Sequence, residues 1–136
     1  MHKNPTSCNE RACKLCSKLY TGPEWTSNCG IVLNTARATC NTRNLIYIVT
    51  DSLTNDTLYI GTTAQPLNTR IAHHMRHKSS FRKQAIKIVP IPGAFKAVHR
   101  VEIEQHLIHQ LKPVLNKQIN YFWWNARCHH HNDLPT

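Results

Sequence analysis

Acidic residues are scarce in this 136-residue chain: Asp and Glu total 7 against 17 Lys and Arg, for a formal charge of +10 and a pI near 9.7. None at all occurs between Thr57 and Val101, a stretch that holds Arg70, Arg76, Lys78, Arg82, Lys83, Lys87, Lys96 and Arg100. An excess of this size makes a polyanion the default partner. Charge alone leaves nucleic acid and an anionic membrane surface both open. Its concentration in one folded segment favours a phosphate-binding surface, with Arg76, Lys78, Arg82, Lys83 and Lys87 as the expected contacts. A solvated face on an ordinary basic protein is the plainer alternative.

Long apolar runs are also missing. No stretch approaches the roughly 18 apolar residues of a membrane span, and Met1-His2-Lys3-Asn4 lacks the apolar stretch of a signal peptide. The expectation is a soluble intracellular protein with no membrane partner, located in the nucleus or wherever its target DNA lies. A chain of this length holds one domain with a modest core, plus an appendage that needs its own staple.

Cysteine supplies that staple. Cys8, Cys13, Cys16, Cys29 and Cys40 crowd the first 40 residues, and Cys128 lies apart. In an intracellular chain such clustering argues for metal before disulfide. The spacing Cys-x4-Cys-x2-Cys followed by Cys40 suits a tetrahedral Zn²⁺ site formed by Cys8, Cys13, Cys16 and Cys40. Cys29 competes for one of those places, and buried thiols without metal are the alternative. Residues 1–43 thus read as a loop-rich, cysteine-bearing segment that buries little by itself, residues 44–120 as the main domain, and residues 121–136 as a tail ending in His129, His130 and His131 before its last residues.

Within the main domain, Leu45-Ile46-Tyr47-Ile48-Val49-Thr50 and Thr57-Leu58-Tyr59-Ile60-Gly61 flank turn chemistry and read as a β-hairpin. Pro66 suits the first turn of a helix along which Leu67, Ile71 and Met75 recur, with Arg70, His74 and His77 on a neighbouring stripe. A short helix over residues 79–84 and a strand from Ile86 to Val89 follow, the strand closed by Pro90-Ile91-Pro92-Gly93. A second long helix is expected from Ala94 to Lys112. Ala97, Val101, Ile108 and Leu111 form its apolar stripe, and His99, Glu102, His106 and His109 its solvated face. Glu104 interrupts the apolar stripe. A carboxylate there costs several kcal/mol unless it is paired or binds metal, which makes it a functional candidate. Pairing with an arginine at the core rim is the alternative.

The elements Tyr47, Tyr59-Ile60-Gly61, Arg70, His74, Glu104 and Asn116, in that order, resemble the GIY-YIG nuclease superfamily, although the first motif reads Leu45-Ile46-Tyr47. The stretch from Cys8 to about residue 120 is most similar to the endonuclease domain of Penelope-like retroelements, without the cysteine pair those elements carry in the hairpin. The resemblance implies an α+β fold with a small three-stranded antiparallel sheet flanked by helices. It also implies a DNA endonuclease that hydrolyses phosphodiesters with a single Mg²⁺ or Mn²⁺ held by Glu104. Arg70 would hold the scissile phosphate and Tyr47 would act as base or orient water, with Tyr59 and His74 assisting and Asn116 ordering the site. A catalytically inactive zinc-containing nucleic-acid-binding module and a structure-specific repair or recombination nuclease are the competing functions. Oligomeric state is not fixed by any of these features.

Overall fold

The computed structural model describes residues 13, 15–36, 38–77, 85–93 and 96–113. Cys8, the 79–84 helix, Lys78, Arg82, Lys83, Asn116, Cys128 and the tail lie outside the described residues. The elements run β1 (Glu24–Thr26), β2 (Val32–Asn34), β3 (Leu45–Asp51), β4 (Thr57–Thr63), α1 (Leu67–His77), β5 (Ile86–Ile91) and α2 (Ala97–Leu111).

Three strands form an antiparallel sheet in the order β4-β3-β5, and β1 pairs with β2 in a separate hairpin. The central strand is apolar at successive positions because both of its faces are covered. Leu45, Tyr47 and Val49 join one core with Leu67 and Ile71 of α1, while Ile46 and Ile48 join the other with Leu107 and Ile108 of α2. The pairings Tyr47 with Gly61 and Val49 with Tyr59 put both phenols on the α1 side. A bulge between Val49 and Thr50 absorbs the extra residue of β4.

Two expectations need correction. β5 continues through Pro90 to Ile91, where Pro90 had been expected to close it. Ile88 directs its N–H and C=O outward to Lys18 and Tyr20, so Pro90, two residues on, turns its missing donor to the same outer edge and β3 loses no bond. In α2, Ala97 and Val101 are exposed, and the inward stripe is Arg100, Ile103, Glu104, Leu107, Ile108 and Leu111. The first turn of that helix stands clear of the sheet.

The cysteine-bearing segment packs against the main domain on both sides of the sheet. Leu15, Leu19 and Cys40 enter the α1-side core and Trp25 the α2-side core. Trp25 Nε1–H donates to Asn55 Oδ1 at 3.0 Å, fastening the β1–β2 hairpin to the β3–β4 turn. Asn55 can sit in that turn because it adopts φ of 65°, a left-handed conformation that asparagine tolerates. Among the described residues, no helix is long and apolar enough to cross a membrane.

Candidate active site and thiol cluster

Strand pairing and one helix turn assemble the site. Tyr47 from β3 has its hydroxyl 2.6 Å from Nε2 of His74 on α1. The Arg70 Nε–H, one helical turn earlier, donates to the same hydroxyl at 3.2 Å. Tyr59 from β4 completes the group, its ring centroid 6.2 Å from that of Tyr47 and 5.4 Å from that of His74. Tyr47 is fully buried, whereas Tyr59 and Arg70 are half-buried and keep an open side.

Glu104 reaches this group from α2, which packs mainly against β4. Its negative charge contributes to raising both phenols. Burial is the larger cause for each, pushing Tyr47 well above the ordinary tyrosine value. The Arg70 guanidinium opposes the rise in both. Burial likewise raises the Glu104 carboxyl, and a hydrogen bond from Gln105 opposes it. A half-buried carboxylate disfavoured by desolvation gains most from a divalent cation, and its hard oxygens suit Mg²⁺ or Mn²⁺. Tyr47, Tyr59, Arg70 and His74 therefore meet, Glu104 lies near enough for its charge to act on both phenols, and Asn116 lies outside the described residues.

Gly61, directly opposite Tyr47, belongs to this machinery, although the sequence reading used it only as part of a motif. A β-carbon there would lie 2.5 Å from Tyr47 Oη, 2.6 Å from its Cζ and 2.9 Å from Tyr59 Cε2. Glycine inside a strand often marks such a close approach, and that signal was present in the sequence. The Tyr47 ring cannot swing away cheaply because Arg70 and His74 hold its hydroxyl. Gly61→Ala should therefore cost about 1–3 kcal/mol in urea unfolding and separate Tyr47 from His74. A variant as stable and as active as the parent would show that the ring has room.

The thiols form a second cluster. Sγ atoms of Cys13, Cys16 and Cys40 all lie within 4.8 Å of one another, and those of Cys16 and Cys40 are 3.3 Å apart. Zinc–thiolate bonds of about 2.3 Å place tetrahedral sulfurs about 3.8 Å apart, so the set fits zinc with small adjustments. Burial, then the two neighbouring thiols, push Cys40 far above the usual thiol range. A metal would have to displace the Cys40 proton to bind there. Cys29 is not among these three: its exposed Sγ lies 3.3 Å from Ser27 Oγ in the β1–β2 loop.

The basic residues divide. Arg76 is exposed on α1, the helix that carries Arg70 and His74. Lys87 pairs with Thr50 on the opposite sheet face, where it lines a cavity of about 190 Å³ with Tyr20, Trp25 and Asn55.

No curated protein and no solved structure matches the chain. Residues 43–120, more than half of its 136, match the GIY-YIG catalytic domain. That family consists of nucleases acting on nucleic acid, and the matched stretch contains the residues that meet around Tyr47. The chain belongs to the GIY-YIG catalytic domain family.

Proposed function

We propose that this protein is a metal-dependent DNA endonuclease of the kind found in Penelope-like retroelements, acting inside the cell where its target DNA lies. The observation that carries the reading is the sharing of one buried phenol oxygen between an imidazole and a guanidinium, with Glu104 close enough to raise both phenols. A surface that only binds DNA has no use for that arrangement.

In this reading Tyr47 takes a proton from the attacking water as its own proton passes to Nε2 of neutral His74. Burial explains why a relay is needed, because a phenol held protonated can yield its proton only to a base already in contact. The water reaches the oxygen from the half-open Arg70 side, where Nε–H keeps its bond to the phenol and the remaining guanidinium N–H groups take the scissile phosphate. Tyr59, half open to solvent, orients the water by hydrogen bonding. Glu104 would hold a single Mg²⁺ or Mn²⁺, which when bound supplies charge neutralisation at the phosphate and the leaving oxygen. Asn116 would order the site, while Arg76, Lys78, Arg82 and Lys83 contact flanking phosphates and Cys8 joins the three clustered thiols as the fourth zinc ligand.

Supercoiled plasmid incubated with the protein should be nicked or linearised with Mg²⁺ and left intact without it. Tyr47→Phe should slow cutting by about 10²–10⁴-fold, the usual worth of general base catalysis, and Tyr59→Phe by less. The reverse order would assign the base to Tyr59. No cutting under any divalent metal would defeat the reading.

A further inference from the structure

The thiol cluster and the catalytic helix share one short turn of chain. Cys40 C=O accepts the N–H of Asn68 at 2.8 Å, and Thr42 C=O accepts the N–H of Leu67 at 3.0 Å. Asn68 Nδ2 also donates to Asn41 Oδ1 at 3.1 Å. The N–H groups of Thr69 and Arg70 return to Pro66 C=O. The opening donors of α1, which a helix cannot satisfy internally, are thus split between its own leading proline and residues 40–42. That turn is exposed at Asn41 and Arg43 and fixed on its inner side by the buried Cys40.

We propose that metal bound by Cys13, Cys16 and Cys40 acts as the positioning element of α1, setting Arg70 and His74 against Tyr47 through the carbonyls of Cys40 and Thr42. The proposal rests on the nuclease reading for its catalytic consequence and on backbone geometry for its structural one. Without metal, no common ion bridges the three sulfurs, and residues 40–42 lose that anchor. The lever is sensitive. Leu67 and His74 are seven residues, roughly 10 Å, apart along the helix axis, so a tilt of about 6° displaces His74 by about 1 Å, an error that can cost about 10²-fold in rate. The apolar contacts of Leu67 and Ile71 hold α1 on the sheet, but they do not fix its tilt as hydrogen bonds at its end do.

The test uses the full chain, loaded with zinc or stripped by a zinc-selective chelator while Mg²⁺ stays in excess. Zinc loss should speed amide exchange at Leu67 and Asn68 while exchange in β3 is unchanged. It should also lower kcat at least about tenfold while KM stays within about twofold, and zinc should restore both. Cys40→Ser puts a hydroxyl in the core and is open to unfolding, so the half-buried Cys13 is the better position. Cys13→Ser should reproduce the zinc-free behaviour, and Cys13→His, which keeps a zinc ligand, should recover much of the parent's zinc content and kcat. Unchanged exchange at Leu67 and Asn68 after zinc loss would overturn the proposal, as would an unchanged kcat. If zinc-loaded protein cuts no DNA but the exchange changes appear, the positioning role stands and the nuclease reading falls.

Discussion

Glu104→Gln should remove cleavage while leaving DNA binding intact or tighter. The substitution keeps the shape of a half-buried side chain on the inward stripe of α2 and deletes its charge. A carboxylate beside phosphate repels it when no cation lies between them, so binding measured without divalent metal improves when the charge goes. The rate should fall at least about 10³-fold, the upper range for losing one group that acts on developing charge. Burial raises the Glu104 carboxyl, so its proton is retained to a higher pH than on an ordinary carboxylate. Metal and proton then compete for it, and added Mg²⁺ should move the acid limb of the parent's rate profile to lower pH. Glu102→Gln, on the exposed face of the same helix, should change little. Parental cutting by Glu104→Gln, or loss of cutting in Glu102→Gln instead, would refute the assignment.

Glu104 also shows how far sequence carries. Its inward placement followed from an apolar stripe, yet two members of that stripe, Ala97 and Val101, are exposed. Helical period gives a direction around the axis. It does not say which turns of the helix overlie the sheet, and here burial begins at Arg100. The hairpin that presents Tyr47 and Tyr59 was legible because a strand of seven residues on each side of turn chemistry is a local signal. The strands Glu24–Thr26 and Val32–Asn34 are too short to show a period. Their docking depends on Trp25 meeting Asn55, thirty residues away. The start of α1 was marked by Pro66, but the carbonyls that receive its first donors come from Cys40 and Thr42. Cysteine spacing brought Cys13, Cys16 and Cys40 to notice and left Cys29 as a rival; only the tertiary path removes it to the hairpin loop. Local chemistry was readable in the sequence, and pairings between distant segments were not.

Arg70→Ala should be the other nearly inactive variant, because Arg70 serves two groups. In the proposed mechanism its charge meets the scissile phosphate from a half-open position, while its Nε–H holds the Tyr47 hydroxyl. Arginine directed at a transferring phosphoryl group is worth about 10³–10⁵ in rate in the best-studied cases, and a loss on that scale is expected here. Arg70→Lys should recover only part of it, since an ammonium is a point charge without the fork that can bond phenol and phosphate together. Arg70 also lowers the pKa of Tyr47, against the rise caused by burial. Its removal makes the phenol harder to deprotonate, so the rise of rate with pH should move to higher pH in Arg70→Ala, and by less in Arg70→Lys, which keeps the charge. If Arg70 and Tyr47 work as one unit, combining Arg70→Ala with Tyr47→Phe should cost little more than the worse single change. A double variant whose loss equals the product of the two single losses would show that they act independently, and the shared hydrogen bond would then be structural only.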